Sequence, residues 1–134
     1  MRSVVLVRDN RVVEDAGTPP VNRHELQLYL NRISDRWPID EAWLGGARID
    51  DENGAPPQRE RGSEYVVVLV SPAYDGIPWL ERVYQAGSLW DALELGAHAD
   101  VHCYTPAEFE RKRATLPAVR RVVDSGLNLL APVG

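Results

Sequence analysis

The spacing of apolar positions along this chain predicts both strands and helices. Residues 65–70, Tyr-Val-Val-Val-Leu-Val, form a continuous apolar run, which is typical of a strand buried on both faces of a sheet. Residues 41–44 predict a short strand that stops at the Gly45-Gly46 turn, and residues 101–104 predict a third strand entered from Asp100. We expect residues 43–45 and 65–70 to be neighbouring strands of one sheet.

The first helix is predicted between Asn22 and Pro38. Asn22 is its expected N-cap, Glu25 stands at the capping-box position, and Pro38 prevents continuation. Its apolar residues recur at steps of four, three and four, which places them on one helical face: Leu26, Leu30, Ile33 and Trp37.

Further helices are predicted after the central strand. One starts near Pro78, breaks at Gly87 with Ser88 capping the second part, and ends at Gly96. Its predicted apolar stripe contains Trp79, Val83, Ala86, Trp90 and Leu93. Residues 105–108, Thr-Pro-Ala-Glu, are a strong helix start, with Phe109 as the anchor of that helix. A last helix runs to Asp124, and residues 127–130 predict an edge strand.

The sequence order of these elements predicts an α/β (α+β) fold in one structural domain. We expect a small mixed sheet with helices packed on one side, over residues 18–134. Residues 1–17 predict an N-terminal β-hairpin that turns at Asp9-Asn10 and is apolar on both faces. We expect it to join the domain's own sheet and to pack one face on the first helix, with its other face or edge available to a second copy in a homodimer. Asp50, Asp51 and Glu52 are expected to lie in a polar loop.

Composition excludes several classes of function. The 134 residues suffice for a core without cross-links, and the net charge of −5 argues against general binding to nucleic acid or anionic membranes. No apolar run approaches the roughly 20 residues needed to span a membrane, and no signal-peptide pattern opens the chain. The single cysteine, Cys103, fits a reducing cytosol, so we expect a cytoplasmic protein.

Four segments, in order, resemble small nucleotidyltransferases of the DNA polymerase beta superfamily. Members have a strand ending in Gly-Ser, a second strand opening with Asp-x-Asp, and a third strand that begins with Asp. The corresponding segments here are Leu44-Gly45-Gly46, Ser63-Glu64-Tyr65-Val66, Ala99-Asp100-Val101, and the run from Cys103 to Arg111, which looks like the segment that follows in many small bacterial members. The resemblance covers residues 43–126 and implies a nucleotidyltransferase-like fold.

In that family two Mg²⁺ ions bridge the triphosphate of an NTP and activate the attacking hydroxyl. This chain departs from the pattern, because Glu64 stands for the first Asp, Val66 for the second and Gly46 for the serine. After these replacements, the resemblance implies Glu64 and Asp100 as the candidate catalytic and metal-binding residues. Its nucleotide-binding candidates are Gly45, Gly46, Arg48 and Ser63, with Arg59 and Arg61 as further sources of positive charge.

Each candidate also has a structural explanation. Glu64 is either a site residue or a solvated residue at a strand entrance, and Asp100 is either a site residue or a cap of the turn before its strand. His98 and His102 do not make a convincing zinc pair, because they flank a strand entrance. Cys103, in an apolar strand, is expected to be inert core.

Two functions follow as expectations. The first is a nucleotidyltransferase-like pseudoenzyme, catalytically weak or inactive, that binds a nucleotide or a partner protein. The second is an active Mg²⁺-dependent enzyme that moves a nucleotidyl group from an NTP to a protein, RNA or small molecule, with Asp50 or Asp51 recruited beside Glu64 and Asp100. Because small members are often paired with a helical HEPN-type protein in bacterial toxin–antitoxin modules, the resemblance implies such a partner.

Overall fold

A computed structural model of the chain describes residues 20–54 and 62–130. In chain order the described residues form α1 (Arg23–Arg36), β1 (Glu41–Gly45), α2 (Ala47–Glu52), β2 (Tyr65–Val70), a 3-10 turn (Pro72–Tyr74), α3 (Trp79–Ser88), α4 (Ala92–Leu95), β3 (Ala99–Tyr104), α5 (Pro106–Thr115), α6 (Pro117–Ser125) and β4 (Leu127–Asn128). The predicted hairpin at residues 1–17 lies outside the described residues.

The four strands form one mixed sheet in the order β3-β2-β1-β4. β1 lies antiparallel to β2, with Gly45 opposite Val66, and β2 lies parallel to β3, with Val66 opposite Asp100. β4 pairs antiparallel with β1 at the edge, through Leu127 and Asn128. The mixed α/β fold, the neighbouring positions of β1 and β2, and the edge strand are therefore confirmed.

Every residue of β2 is buried, which confirms the prediction drawn from its continuous apolar run. One face of the sheet, with Tyr65, Val67 and Leu69, packs against α1, α3 and α4. The other face, with Val66, Val68 and Val70, packs against Phe109 of α5 and against α6. The helices thus lie on both sides of the sheet rather than on one, because a strand that is apolar on both faces needs cover on both.

The predicted N-caps of two helices are confirmed. The side chain of Asn22 accepts a hydrogen bond from the Glu25 N–H at 3.0 Å, and α1 ends before Pro38. Thr105 and Glu108 form a complete capping box at α5. Because the apolar face of α1 is buried at Leu26, Leu30, Ile33 and Trp37, its predicted orientation is confirmed as well.

Three local predictions are wrong. Asp50, Asp51 and Glu52 lie in α2 rather than in a loop, because Ala47 and Ile49 bury one side of that helix. Ser88 does not cap α4; its hydroxyl donates to Gln85 O, and Asp91 is the N-cap. The predicted stripe of α3 also fails at its two ends, because Trp79 and Leu93 are exposed.

Candidate functional site

The Gly45-Gly46 turn joins β1 to α2, and both glycines are in close contact with neighbouring segments. Gly46 has φ +107°, and a Cβ at this position would lie 2.7 Å from the Glu64 carbonyl oxygen and 2.8 Å from the Tyr65 Cα. A Cβ on Gly45 would lie 2.8 Å from a methyl carbon of Val122 in α6. A side chain at Gly46 would therefore require the backbone at the entrance of β2 to shift, and one at Gly45 would require Val122 of α6 to shift.

The first N–H groups of α2 all have backbone partners. Ala47 and Arg48 donate to the carbonyls of Ser63 and Glu64, each at 3.0 Å. The next two N–H groups, those of Ile49 and Asp50, both donate to Gly46 O. Backbone N–H groups at a helix start can bind phosphate only when they are free to point at it. In this protein, backbone carbonyls already accept hydrogen bonds from these N–H groups, so they do not point at a free phosphate site.

Arg48 and Glu64 form an ion pair beside this turn. The Arg48 Nε lies 2.9 Å from Glu64 Oε1, and its Nη2 donates to Gly96 O at 3.1 Å. The guanidinium also lies over the Tyr65 ring, 5.8 Å from its centroid. The two site candidates are therefore brought together, but each is bound to the other.

Asp100 lies opposite Val66 in the parallel register of β2 and β3. The Val66 side chain belongs to the cluster formed with α5 and α6. Asp100 is 55% exposed and lies 3.2 Å from His102 Nε2, and His102 Nδ1 lies 2.9 Å from the Tyr104 hydroxyl. Asp100, His102 and Tyr104 therefore form a hydrogen-bonded row along one face of β3.

The acidic side chains of α2 point to other parts of the molecule. Asp50 forms an ion pair with Arg121 of α6 at 2.9 Å. Glu52 accepts from the Val21 N–H at 2.7 Å and pairs with Arg23. Within residues 20–54 and 62–130, no three His, Cys, Asp or Glu side chains are grouped so that they could hold a metal ion.

Cys103 is fully buried, and burial raises the pKa of its thiol to about 12. A thiol with such a pKa stays protonated at neutral pH, and the thiolate is the nucleophilic form. Burial also raises the pKa of Tyr104 to about 12, with the charge of Asp100 as the next cause. Neither group is poised to lose a proton near neutral pH.

Sequence reasoning did not single out Arg82, which is buried where α3 meets β3. Its guanidinium donates to the carbonyls of Ile77 and Cys103 and forms an ion pair with Glu108 at 2.7 Å. This contact lowers the pKa of Glu108, with its hydrogen bond to Arg82 as the largest cause. No signal in the sequence indicates that Arg82 joins these groups, because its partners Ile77, Cys103 and Glu108 lie at separate places in the chain.

No family model matches the chain, and no curated protein is similar to it. Among solved structures, the chain is similar to a crystal structure described as that of a candidate nucleotidyltransferase from Sulfolobus solfataricus, with 12% identity and a TM-score of 0.46. The match covers 66% of this chain and 70% of that one. Within the described residues, no helix is both long enough and apolar enough to cross a membrane.

Proposed function

We propose that this chain is a nucleotidyltransferase-like domain that has lost two-metal nucleotidyl transfer and works by binding a partner protein. The observation that carries the proposal is the closed Gly45-Gly46 turn. Gly46 packs on the backbone at Glu64, the N–H groups of Ala47 and Arg48 bond to carbonyls, and Arg48 pairs with Glu64. A triphosphate at this turn would have to displace these contacts.

The carboxylates at the family's metal positions support the same proposal. Mg²⁺ demands near-octahedral coordination by oxygen ligands. Position 66, opposite Asp100, is an apolar valine, and Glu64 is engaged by Arg48 at 2.9 Å. The active alternative recruits Asp50 or Asp51, and Asp50 would have to leave Arg121, to which it is bonded at 2.9 Å.

The binding test uses the full chain and calorimetry with ATP, with and without Mg²⁺. We expect no heat of binding in either condition, because the N–H groups and Arg48 have partners. Binding that requires Mg²⁺ would instead favour the active enzyme. Binding that is independent of Mg²⁺ and lost in Arg48→Gln would identify a nucleotide-binding remnant.

The activity test offers each labelled NTP, with Mg²⁺ or Mn²⁺, to the chain and to protein, RNA and small-molecule acceptors. We expect no incorporation. Glu110→Gln is the matched control, since Glu110 is an exposed acid on α5. Incorporation that disappears in Glu64→Gln and in Asp100→Asn, but persists in the control, would overturn the proposal.

The surface for the partner, in this proposal, is the outer face of α3. Leu80 and Tyr84 lie one helical turn apart on that face and are each 77% exposed, and Trp79 beside them is partly exposed. Such neighbouring apolar side chains are typical of a surface that meets another protein. The resemblance implies the occupant, a helical HEPN-type protein, whose apolar helix face could cover these residues.

The partner test is co-expression with a small all-helical protein encoded next to this chain. We expect a stable complex that is lost when Leu80→Ser and Tyr84→Ser are combined. Leu28→Ser on α1 is the control, because Leu28 is an exposed leucine on another helix. A complex that survives the double variant would exclude this face.

A further inference from the structure

The helices α5 and α6, which form the α5–α6 pair, concentrate positive charge on an acidic chain. Between positions 111 and 123 there are five basic residues and no acidic one: Arg111, Lys112, Arg113, Arg120 and Arg121. All five are exposed. The net charge of −5 argues against attraction of polyanions to the whole surface. A local basic patch can still attract them at close range, because salt screens charges that lie beyond about 8–10 Å.

Hydrogen bonds within the α5–α6 pair already satisfy carbonyl groups at the end of α5. The Arg120 Nη2 donates to Ala114 O at 2.8 Å. The Lys112 carbonyl accepts from the Leu116 N–H at 2.7 Å. Basic side chains near a helix C-terminus can bond its last carbonyls, and here Arg120 has that role. The side chains of Arg111 and Lys112 are therefore not needed as caps of α5.

The outer side of α5 has a shallow depression with basic walls. The residues that line it are Glu110, Arg111, Lys112, Ala114 and Thr115. In the part of the chain that the structure describes, neither Arg111 nor Lys112 has an ion-pair partner. The acid among the lining residues, Glu110, lies 3.7 Å from Arg113. Because Arg120 is bonded to the end of α5, its charge adds to those of Arg111 and Lys112 beside this depression.

The surface of the α5–α6 pair is basic without being apolar. The large apolar side chains that are exposed among the described residues all belong to other elements: Leu28, Trp79, Leu80, Tyr84, Leu93 and Leu130. Protein interfaces centre on aromatic or aliphatic anchors, and helices that lie on membranes carry apolar side chains that enter the lipid. Phosphate groups need only positive charge and N–H donors, which arginine and lysine supply. The composition of this surface therefore favours a polyphosphate over a protein or a membrane.

We propose that the α5–α6 pair binds the phosphate backbone of a nucleic-acid duplex without reading its sequence. A duplex carries one negative charge for about every 1.7 Å of its axis, so each of several neighbouring cations can meet a phosphate. Proteins that bind single strands add aromatic side chains on which bases stack, and none is exposed on the described residues of α5 or α6. This binding goes beyond the proposed function and uses neither the Gly45-Gly46 turn nor the outer face of α3.

The test measures binding of the full chain to a short labelled DNA duplex by fluorescence anisotropy, between about 50 and 200 mM salt. Each phosphate that a cation neutralises contributes about −0.9 to the slope of log K against log salt concentration. With Arg111, Lys112 and Arg120 in contact, we expect a slope of about −2.7. Combining Arg111→Gln with Lys112→Gln should weaken binding and bring the slope to about −0.9. A duplex RNA should lose affinity in the same variant, because the contacts are to phosphates.

The matched control combines Arg23→Gln with Arg36→Gln, which removes the same charge from exposed positions of α1. We expect its salt slope to equal that of the unchanged chain, and urea unfolding checks that both double variants are folded. Absence of binding at low salt, or an equal loss in the two double variants, would overturn the proposal. Tighter binding of a single strand of the same length would also overturn it. So would tighter binding of polyglutamate or of phosphatidylserine vesicles, which would assign the surface to an acidic protein or to a membrane.

Discussion

Replacing Gly46 by alanine should destabilise the protein through two separable effects. A residue with a Cβ at φ +107° and ψ −179° is strained by about 1–3 kcal/mol, because this backbone region is open essentially to glycine alone. The added Cβ would also stand 2.7 Å from Glu64 O and force β2 and α2 apart. The hydrogen bonds that Ala47 and Arg48 make there would then weaken, at about 1 kcal/mol each. We expect a total loss of about 3–5 kcal/mol in the free energy of unfolding.

Two other glycines supply controls, one for backbone strain and one for an alanine that meets neither strain nor a close contact. Gly76 has φ +82°, yet a Cβ there would meet nothing within 4 Å, so Gly76→Ala should show the strain alone, about 1–2 kcal/mol. Gly87 lies in α3 with open space around its Cα, and Gly87→Ala should stabilise by roughly 0.5 kcal/mol through helix propensity.

Urea denaturation followed by circular dichroism gives the three free energies of unfolding from midpoints and slopes. The difference between Gly46→Ala and Gly76→Ala measures the contact with Glu64 and Tyr65 together with any difference in backbone strain between the two positions. If these two variants lose the same stability, Gly46 is not packed against β2. This packing would then not close the turn to a phosphate.

Three further outcomes are expected. Arg82→Met should cost about 3 kcal/mol of stability in urea unfolding, because two backbone carbonyls lose a buried charged donor; a loss below about 1 kcal/mol would contradict this. The pKa of Glu108 is lowered in the folded state, so its contribution is present above the unfolded pKa of about 4.3 and is lost as pH falls through the folded value. Glu108→Gln should therefore flatten the acid side of the stability curve measured by urea unfolding. Tyr29→Phe should cost about 1 kcal/mol in thermal or urea unfolding, since its buried hydroxyl donates to Ala86 O; an unchanged midpoint would exclude that bond.

Local and periodic features of this fold could be predicted from the sequence. The six apolar residues from Tyr65 to Val70 predicted a central strand covered on both faces, and all six are buried. Asn22 and Thr105 were identified as caps because a cap depends only on residues three positions apart. Asp91 and Glu94 have the same three-residue spacing, which also predicts the start of α4, where Asp91 is the N-cap.

Features that depend on contacts between distant segments could not be predicted in this way. α2 is short and rich in acids, and it forms because Ala47 and Ile49 are buried and because carbonyls at residues 63 and 64 receive its first N–H groups. The ion pair of Arg48 with Glu64 spans sixteen positions. This ion pair engages the charges of both site candidates with each other. The resemblance indicates each of the two residues by itself and gives no sign that they pair.

Gly45, Gly46 and Val66 belong to one packed arrangement. Val66 packs in the same cluster as Val119 and Val122 of α6, and Val122 also lies against Gly45. An aspartate at position 66 would bury a carboxylate among valines. Burying a charge without a partner raises the free energy of the folded state. Introducing an acid at position 66 alone would therefore conflict with the position of α6, just as a serine at position 46 would conflict with the Glu64 carbonyl. At these positions hydrophobic and backbone contacts stabilise the fold.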